Sequence, residues 1–224
     1  MTFQKTVIVV AGGQGNRMQS ELPKQFLLLG GKPILVRTIE RFIEYDNQIH
    51  IILVLPEEHV HIWEEIAVEY RVNHLIDVVT GGETRYQSVQ NGMKLVRGNG
   101  VVGIHDGVRP LVSLETISIC YEHAFQTGNA IPGLPVEETL RKGDKSNTEW
   151  VDRNEYWTIQ TPQCFKTEII QNAYSQHFNP KFTDDASVVE SIGQRINLVI
   201  GNRENLKITR PEDLELAEKL IGSR

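Results

Sequence analysis

Val7-Ile8-Val9-Val10-Ala11-Gly12-Gly13-Gln14-Gly15-Asn16-Arg17-Met18 decides the reading of the fold. Residues 7–10 are β-branched with no polar alternation, which suits a strand buried on both faces of a parallel sheet, and the run breaks at glycines. Outward from it, Leu35, Ile39, Phe42 and Ile43 fall at i, i+4, i+7 and i+8, the apolar stripe of a helix. Residues 49–55 form a second buried strand ending at Pro56. Val60, Trp63, Ala67 and Tyr70 mark a helix, residues 76–80 a third strand stopped by Gly81-Gly82, and Val89, Met93 and Val96 the helix after it. Residues 101–105 are the fourth strand. Single strands alternating with helices predict an α/β, doubly wound, mostly parallel sheet, a Rossmann-like arrangement with helices on both faces. Ligands of such sheets sit beyond the carboxyl ends of the strands.

The rhythm breaks between Pro135 and Pro162. Thr139-Leu140-Arg141-Lys142 and Trp150-Val151-Asp152-Arg153 flank the turn-rich Gly143-Asp144-Lys145-Ser146-Asn147, which predicts a protruding β-hairpin arm at about 137–160. A two-stranded arm is marginal alone, so it is expected to lie on the body or on a second copy of the chain. Regular pattern resumes with a helix near 166–177, another beginning around Asp184, and a strand at 196–200. The last helix is expected to start at a capping box, Thr209-x-x-Glu212, and to bury Leu214, Ala217 and Ile221. At 224 residues with no internal repeat, one domain spanning 1–224 and carrying the arm is the simplest organisation.

Composition narrows the function. A net charge of −6 argues against a protein that wraps a nucleic acid polymer, so any anionic ligand has to meet locally concentrated cations. The apolar run at 7–11 is too short for a signal peptide or a membrane span, and the expectation is a cytoplasmic protein with no membrane partner. Cys120 and Cys164 have neither metal-site spacing nor a disulfide framework and read as packing residues.

The glycine loop lets backbone N–H groups cradle phosphate oxygens. It is not a P-loop, because no Gly-Lys-Ser/Thr follows, and Met18 stands where a dinucleotide fingerprint needs its third glycine. Arg17 and Lys24 supply instead a fork-shaped cation and a point charge on one long loop. The same residues also read as a glycine turn with two solvated cations. Gly81-Gly82-Glu83-Thr84-Arg85-Tyr86-Gln87-Ser88 lies between a strand and a helix, where N–H groups and Ser88 could read a base or ribose edge, or simply start the helix. His105-Asp106-Gly107-Val108-Arg109-Pro110 closes the fourth strand. Asp106 and Arg109 there read as a substrate-fixing pair or as a loop salt bridge, and His105 as a satisfied strand-end imidazole. Asp152-Arg153-Asn154 and Thr161-Pro162-Gln163 could order a binding edge or cap turns. Lys207 reads as a solvated surface lysine or a ligand-facing one, and Asp184 and Asp185 as structural acids at a helix N-terminus.

In this order the pieces resemble the 2-C-methyl-D-erythritol 4-phosphate cytidylyltransferases of the nonmevalonate isoprenoid pathway. The resemblance runs from Gly13-x-Gly15-x-Arg17-Met18 and Pro23-Lys24-Gln25 through Gly81-Gly82-x-x-Arg85-x-x-Ser88, His105-Asp106-x-x-Arg109-Pro110 and Pro135-Val136-x-x-Thr139. It continues in Val151-Asp152-Arg153-Asn154, Thr161-Pro162-Gln163-x-Phe165, Thr183-Asp184-x-Ala186-Ser187 and Asn205-Leu206-Lys207-Ile208-Thr209-Arg210-Pro211-Glu212-Asp213. It implies that Arg17, Lys24 and Lys207 contact the triphosphate and do the catalytic work, and that Ala11, Gly12, Gly13, Gly15, Gly82, Glu83, Ser88 and Gly107 line a CTP pocket. It further implies that Asp106, Arg109, Thr139 and Arg153 hold the polyol phosphate, the last two from the arm of a partner, so that a homodimer shares its active sites. Mg²⁺, held mainly by the phosphates with no dedicated protein ligands, is the implied cofactor. This chain has Ala11-Gly12-Gly13 where relatives often have Ala-Ala-Gly, and Gly107-Val108 where they often have Ala-Ala. Ribitol 5-phosphate cytidylyltransferases tolerate similar choices and are the alternative reading. A non-catalytic nucleotide-binding module is the alternative of a different class.

Overall fold

The computed structural model describes residues 3–12, 22–72, 74 and 76–222; Gly13, Gly15 and Arg17 lie outside the described residues. In chain order the strands are β1 (Gln4–Val10), β2 (Leu28–Leu29), β3 (Lys32–Pro33), β4 (His50–Leu55), β5 (Ile76–Thr80), β6 (Gly100–Asp106), β7 (Asn129–Pro135), β8 (Arg141–Gly143), β9 (Thr148–Trp150), β10 (Trp157–Ile159), β11 (Gln163–Lys166) and β12 (Leu198–Ile200). The helices are α1 (Ile34–Tyr45), α2 (Val60–Glu69), α3 (Arg85–Met93), α4 (Leu114–Thr127), α5 (Thr167–Ala173), α6 (Asp185–Glu190) and α7 (Pro211–Gly222).

The main sheet runs β10-β7-β11-β6-β1-β4-β5, with β12 also paired to β7. The pairs β1–β4, β1–β6 and β4–β5 are parallel, as is β12–β7. Side-chain alternation shows why the central stretches of β1 and β4 are apolar. Val7 and Val9 of β1, with Ile51, Leu53 and Leu55 of β4, pack toward α1, α2 and α4, whereas Ile8, Ile52 and Val54 pack toward α3, α5 and α6. Each fully buried aliphatic side chain contributes about 1.5–3 kcal/mol, and burial on both faces favours an unbroken apolar run. Gly103 has a steric cause: a Cβ there would lie 2.6 Å from the Tyr121 hydroxyl, which donates to the Thr6 carbonyl beneath the sheet.

Three features differ from the sequence reading. The stretch Asn129–Pro135 is a strand despite two prolines and a glycine, and it bonds antiparallel to β10 and β11 and parallel to β12. Residues 163–166 are a strand antiparallel to β6, so the helix expected near 166–177 is the shorter α5. The last helix begins one residue later than the Thr209 box implies. Pro211, with its fixed φ, takes the first helical position, and Asp213 rather than Glu212 reaches back to the Thr209 and Arg210 N–H groups.

The arm pairs Arg141 with Trp150 and Gly143 with Thr148 around a turn in which Asp144 Oδ1 accepts from the Ser146 and Asn147 N–H groups. All six strand residues of the arm are exposed. No helix among the described residues is long and apolar enough to cross a membrane.

Candidate active site

The parallel strands stand in the order β5-β4-β1-β6, so the chain reverses direction of winding between β1 and β6. Sheets of this kind bind ligands at that crevice. The register fixes what meets there. Val10 lies opposite Asp106, and the Gly107 N–H donates to the Val10 carbonyl at 2.9 Å. Ala11 and Gly12, where the chain leaves β1, and the Asp106 turn leaving β6 are therefore adjacent by backbone geometry, whatever their side chains.

Ala11, Gly12, Lys24, Gln25, Gly82, Glu83, Thr84, Arg85, Ser88, Asp106 and Lys207 line one cleft over this crevice. Lys24 arrives on a single 3₁₀ turn, Lys24–Phe26. Its neighbour Gln25 is buried and donates Nε2 to the Ala11 carbonyl at 3.0 Å, with the His59 ring nitrogen 3.2 Å away. That bond ties the lysine's turn to the mouth of the glycine loop. Gly107 lies beneath the cleft floor, where a Cβ would come 2.9 Å from that of Ala11.

Asp106 is the electrostatic centre. Its Oδ2 accepts from Arg109 Nε at 3.0 Å and faces Lys207 Nζ at 3.2 Å, while Oδ1 faces Arg85 Nε at 4.0 Å. Burial alone would push this carboxyl up, but Lys207, Arg85 and Arg109 together hold it well below the usual carboxylate range. Lys24, Lys207, Arg85 and Arg109 gather here against Asp106, Glu83 and the Asp185 that grips Arg85, so cations outnumber acids at the crevice of a chain whose net charge is −6. This is the local concentration that an anionic ligand demands. Asp106 and Arg109 do form a loop salt bridge, of which Asp106 lines the cleft and Arg109 stands behind it. Arg109 Nη1 also donates to the Asn205 carbonyl at 2.8 Å, which fixes the segment delivering Lys207.

On the opposite wall Thr84 caps α3 in a reciprocal box with Gln87. The Ser88 hydroxyl donates to the Thr84 carbonyl at 2.9 Å and accepts from the Gly82 N–H at 3.1 Å. Ser88 thus shapes the Gly81-Gly82 turn from inside.

Thr139 and Arg153 are brought together in a separate hollow on the arm, with Trp150, Asp152 and Asn154. Neither lines the cleft of its own chain. Arg153 Nη1 donates to the Glu137 carbonyl, and the Glu137 carboxylate pairs with Arg203.

His105 is buried and fully partnered: Nδ1 lies 3.0 Å from Thr161 Oγ1 and Nε2 3.2 Å from the Arg109 carbonyl. The Asp106 N–H donates to the same Thr161 oxygen at 3.1 Å, so the hydroxyl proton goes to Nδ1 and the neutral ring donates from Nε2. Burial pushes the imidazole down from 6.5 to about 4. The unfolded chain takes this proton first as pH falls, so His105 costs stability progressively between pH 6.5 and 4, by up to about 3 kcal/mol. The urea midpoint should fall across that window and fall less in His105→Gln; equal slopes would contradict the assignment.

Sequence spacing did not assign the roles of three supporting groups. Thr161 braces Asp106 from the β10–β11 corner, Gln25 pins the Lys24 turn, and Asp185, read as a helix-end acid, grips Arg85 through both oxygens at 2.8 and 2.6 Å. Proximity to proline at Thr161 and at Lys24 was the available signal for two of them; Asp185 offered none beyond its doubled acid.

Among the described residues no three His, Cys, Asp or Glu side chains gather as a metal-binding group. Asp106, the carboxylate at the crevice, is already matched by cations. A divalent ion held chiefly by a ligand's phosphates and water, as magnesium prefers, is compatible with this donor set.

A doubly wound sheet with a cation-rich cleft at its switch point, and a glycine-rich sequence following its central strand, defines a Rossmann-like nucleotidyltransferase. The family model for 2-C-methyl-D-erythritol 4-phosphate cytidylyltransferase matches residues 5–223. The chain belongs to this family, and is a nucleotidyltransferase of isoprenoid biosynthesis. It is 52% identical over 219 residues to the 2-C-methyl-D-erythritol 4-phosphate cytidylyltransferase of Bacteroides fragilis, covering 97% of this chain and 99% of that one. Among solved structures it is similar to the 4-diphosphocytidyl-2C-methyl-D-erythritol synthase of Anaerococcus prevotii, with TM-score 0.83 and 26% identity over 98% of this chain and 96% of the other. It is also similar to the Francisella tularensis 2-C-methyl-D-erythritol 4-phosphate cytidylyltransferase, with TM-score 0.81 and 31% identity over 96% and 99%.

Proposed function

We propose that the cleft binds CTP and 2-C-methyl-D-erythritol 4-phosphate and joins them into 4-diphosphocytidyl-2-C-methyl-D-erythritol, releasing pyrophosphate. The observation that supports this most is that Lys24 and Lys207, from opposite ends of the chain, line one cleft with Ala11, Gly12 and Asp106. An acceptor phosphate has a second pKa of about 6 and is largely a dianion near neutral pH, so it attacks the α-phosphorus without a general base. One P–O bond forms to the acceptor phosphate and the α–β bridging P–O bond breaks, its electrons leaving with pyrophosphate. His105, held neutral and fully partnered, is not needed for this step.

Positioning and charge stabilisation remain as the protein's work. In this reading Arg17, Lys24 and Lys207 meet the triphosphate. Ala11, Gly12, Gly13, Gly15, Gly82, Glu83, Ser88 and Gly107 form or support the CTP pocket, and Asp106 and Arg109 meet the acceptor. Mg²⁺, held by the phosphates rather than by protein carboxylates, would when bound add neutralising charge to that of Lys24 and Lys207. Thr139 and Arg153 reach the acceptor in the cleft of a second copy, because on their own chain they sit in the separate arm hollow. A homodimer also gives cover to the exposed Trp157 and Ile159 of β10 and Leu198 and Ile200 of β12. We read residues 1–224 as one domain with the arm as its extension. The two buried free cysteines, Cys120 and Cys164, suit the reducing cytoplasm.

The test is pyrophosphate release from each of the four nucleoside triphosphates against methylerythritol, ribitol and hexose phosphates. CTP with 2-C-methyl-D-erythritol 4-phosphate is expected to give the highest kcat/KM. A preference for ribitol 5-phosphate would move the assignment to that cytidylyltransferase, and CTP binding without turnover on any acceptor would make the chain a nucleotide-binding module.

A further inference from the structure

Asp185 is wholly buried, and its carboxylate is committed to three donors. Arg85 gives Nη1 to Oδ1 at 2.8 Å and Nη2 to Oδ2 at 2.6 Å, and the Tyr174 hydroxyl gives a second bond to Oδ1 at 2.6 Å. A bidentate fork fixes the plane of a guanidinium as well as its place. Burial would lower the Arg85 pKa, but Asp185 overrides it and holds the guanidinium charged. The remaining edge of that group, Nε, faces Asp106 Oδ1 at 4.0 Å, and Arg85 lines the cleft.

The carboxylate is itself held in place from the sheet. Gln163, opposite Ile104 on β6, donates Nε2 to Asp184 Oδ2 at 2.9 Å and accepts from the Ala186 N–H at 2.8 Å, bracketing Asp185 at the start of α6. A closed path therefore runs from β6 through Gln163, α6, Asp185 and Arg85 back to Asp106 at the end of β6. Burying such a pair gives little net stability over apolar packing. What it does supply is a fixed direction.

We infer that Asp185 is a positioning residue for acceptor recognition: gripping Arg85 from behind, it keeps the Nε edge against Asp106 Oδ1 and leaves Oδ2 to Arg109 and Lys207. The inference rests on the acceptor role given to Asp106 above. Without Asp185 the guanidinium is free to turn and fork onto Asp106, and the carboxylate loses its set orientation toward the polyol.

The experiment is a double-mutant cycle of Asp185→Asn with Arg85→Lys, read as separate KM values for CTP and for 2-C-methyl-D-erythritol 4-phosphate, with thermal midpoints measured alongside. Asp185→Asn is expected to raise the acceptor KM by about tenfold or more, the scale of a lost charged hydrogen bond, while changing the CTP KM by less than about twofold. In the Arg85→Lys background the same substitution is expected to add less than about twofold, because the fork it serves is already gone. Losses that multiply, an effect confined to kcat or shared equally by both KM values, or no effect, each overturn the inference. If Asp185→Asn does not fold, Tyr174→Phe takes its place, removing one hydroxyl bond to Asp185. The expected acceptor effect is then about threefold under the same non-additivity criterion. A wild-type chain inert on this acceptor would instead end the functional reading, which keeps the two failures distinct.

Discussion

Lys207→Ala and Lys24→Ala are each expected to lower turnover by about 10²–10³, the scale for losing one preorganised group that stabilises developing charge. Lys207 Nζ stands 3.2 Å from Asp106 Oδ2, and its side chain is 43% exposed. Its removal leaves Asp106 still bonded to Arg109 and facing Arg85, so the buried carboxylate keeps a partner and the thermal midpoint should fall only modestly. The loss then belongs to catalysis. In the resting cleft Lys207 rests on a carboxylate already satisfied by two other cations, so transferring its ammonium to a phosphate leaves no bare buried charge behind. Lys24 sits across the cleft on a turn anchored by Gln25 to the Ala11 carbonyl. Steady-state pyrophosphate release at saturating substrates checks both variants, and normal turnover in both would show that the roles are misassigned.

The second large effect concerns the arm. Arg153→Ala should cripple use of the acceptor while sparing CTP affinity measured by calorimetry, because Arg153 lies outside its own chain's cleft. If the arm completes the partner's site, an equimolar mixture of Arg153→Ala and Lys24→Ala chains recovers activity that neither homodimer has. Random re-pairing makes half the dimers mixed, and each mixed dimer holds one site with both substitutions and one with neither. Recovery is therefore expected at about one quarter of the wild-type rate. No recovery after subunit exchange would mean that Arg153 and Lys24 of one and the same chain serve one site, or that the arm has no role in catalysis. Isolation of the arm favours the shared arrangement: β8 and β9 are exposed throughout, and a lone hairpin has little stability of its own.

What was legible in the sequence follows from what each element buries. Strands β1, β4 and β6 could be placed because apolar runs fit a parallel sheet covered on both faces, the edge strand β5 because Gly81-Gly82 stops it, and α1 because Leu35, Ile39 and Phe42 form its buried stripe. Strand β7 was not legible, since Pro132, Gly133 and Pro135 ordinarily argue against a strand. Nor was β11, whose pairing to β6 is antiparallel and follows from the chain's return from the arm. Of the candidate site, the turns after β1 and β6 could be read because strand ends in this architecture predict where a ligand lies. The pairings of Arg85 with Asp185 and of Lys207 with Asp106 could not, being made by side chains about a hundred residues apart that meet only once the sheet is assembled.

A crystal structure of the chain with CTP and Mg²⁺ tests the central claim most directly. The triphosphate is expected in the cleft between β1 and β6, with the ammonium groups of Lys24 and Lys207 both within hydrogen-bonding distance of its oxygens and Lys207 drawn off Asp106. A nucleotide bound elsewhere, or one that leaves either lysine out of reach of the phosphates, would contradict the account.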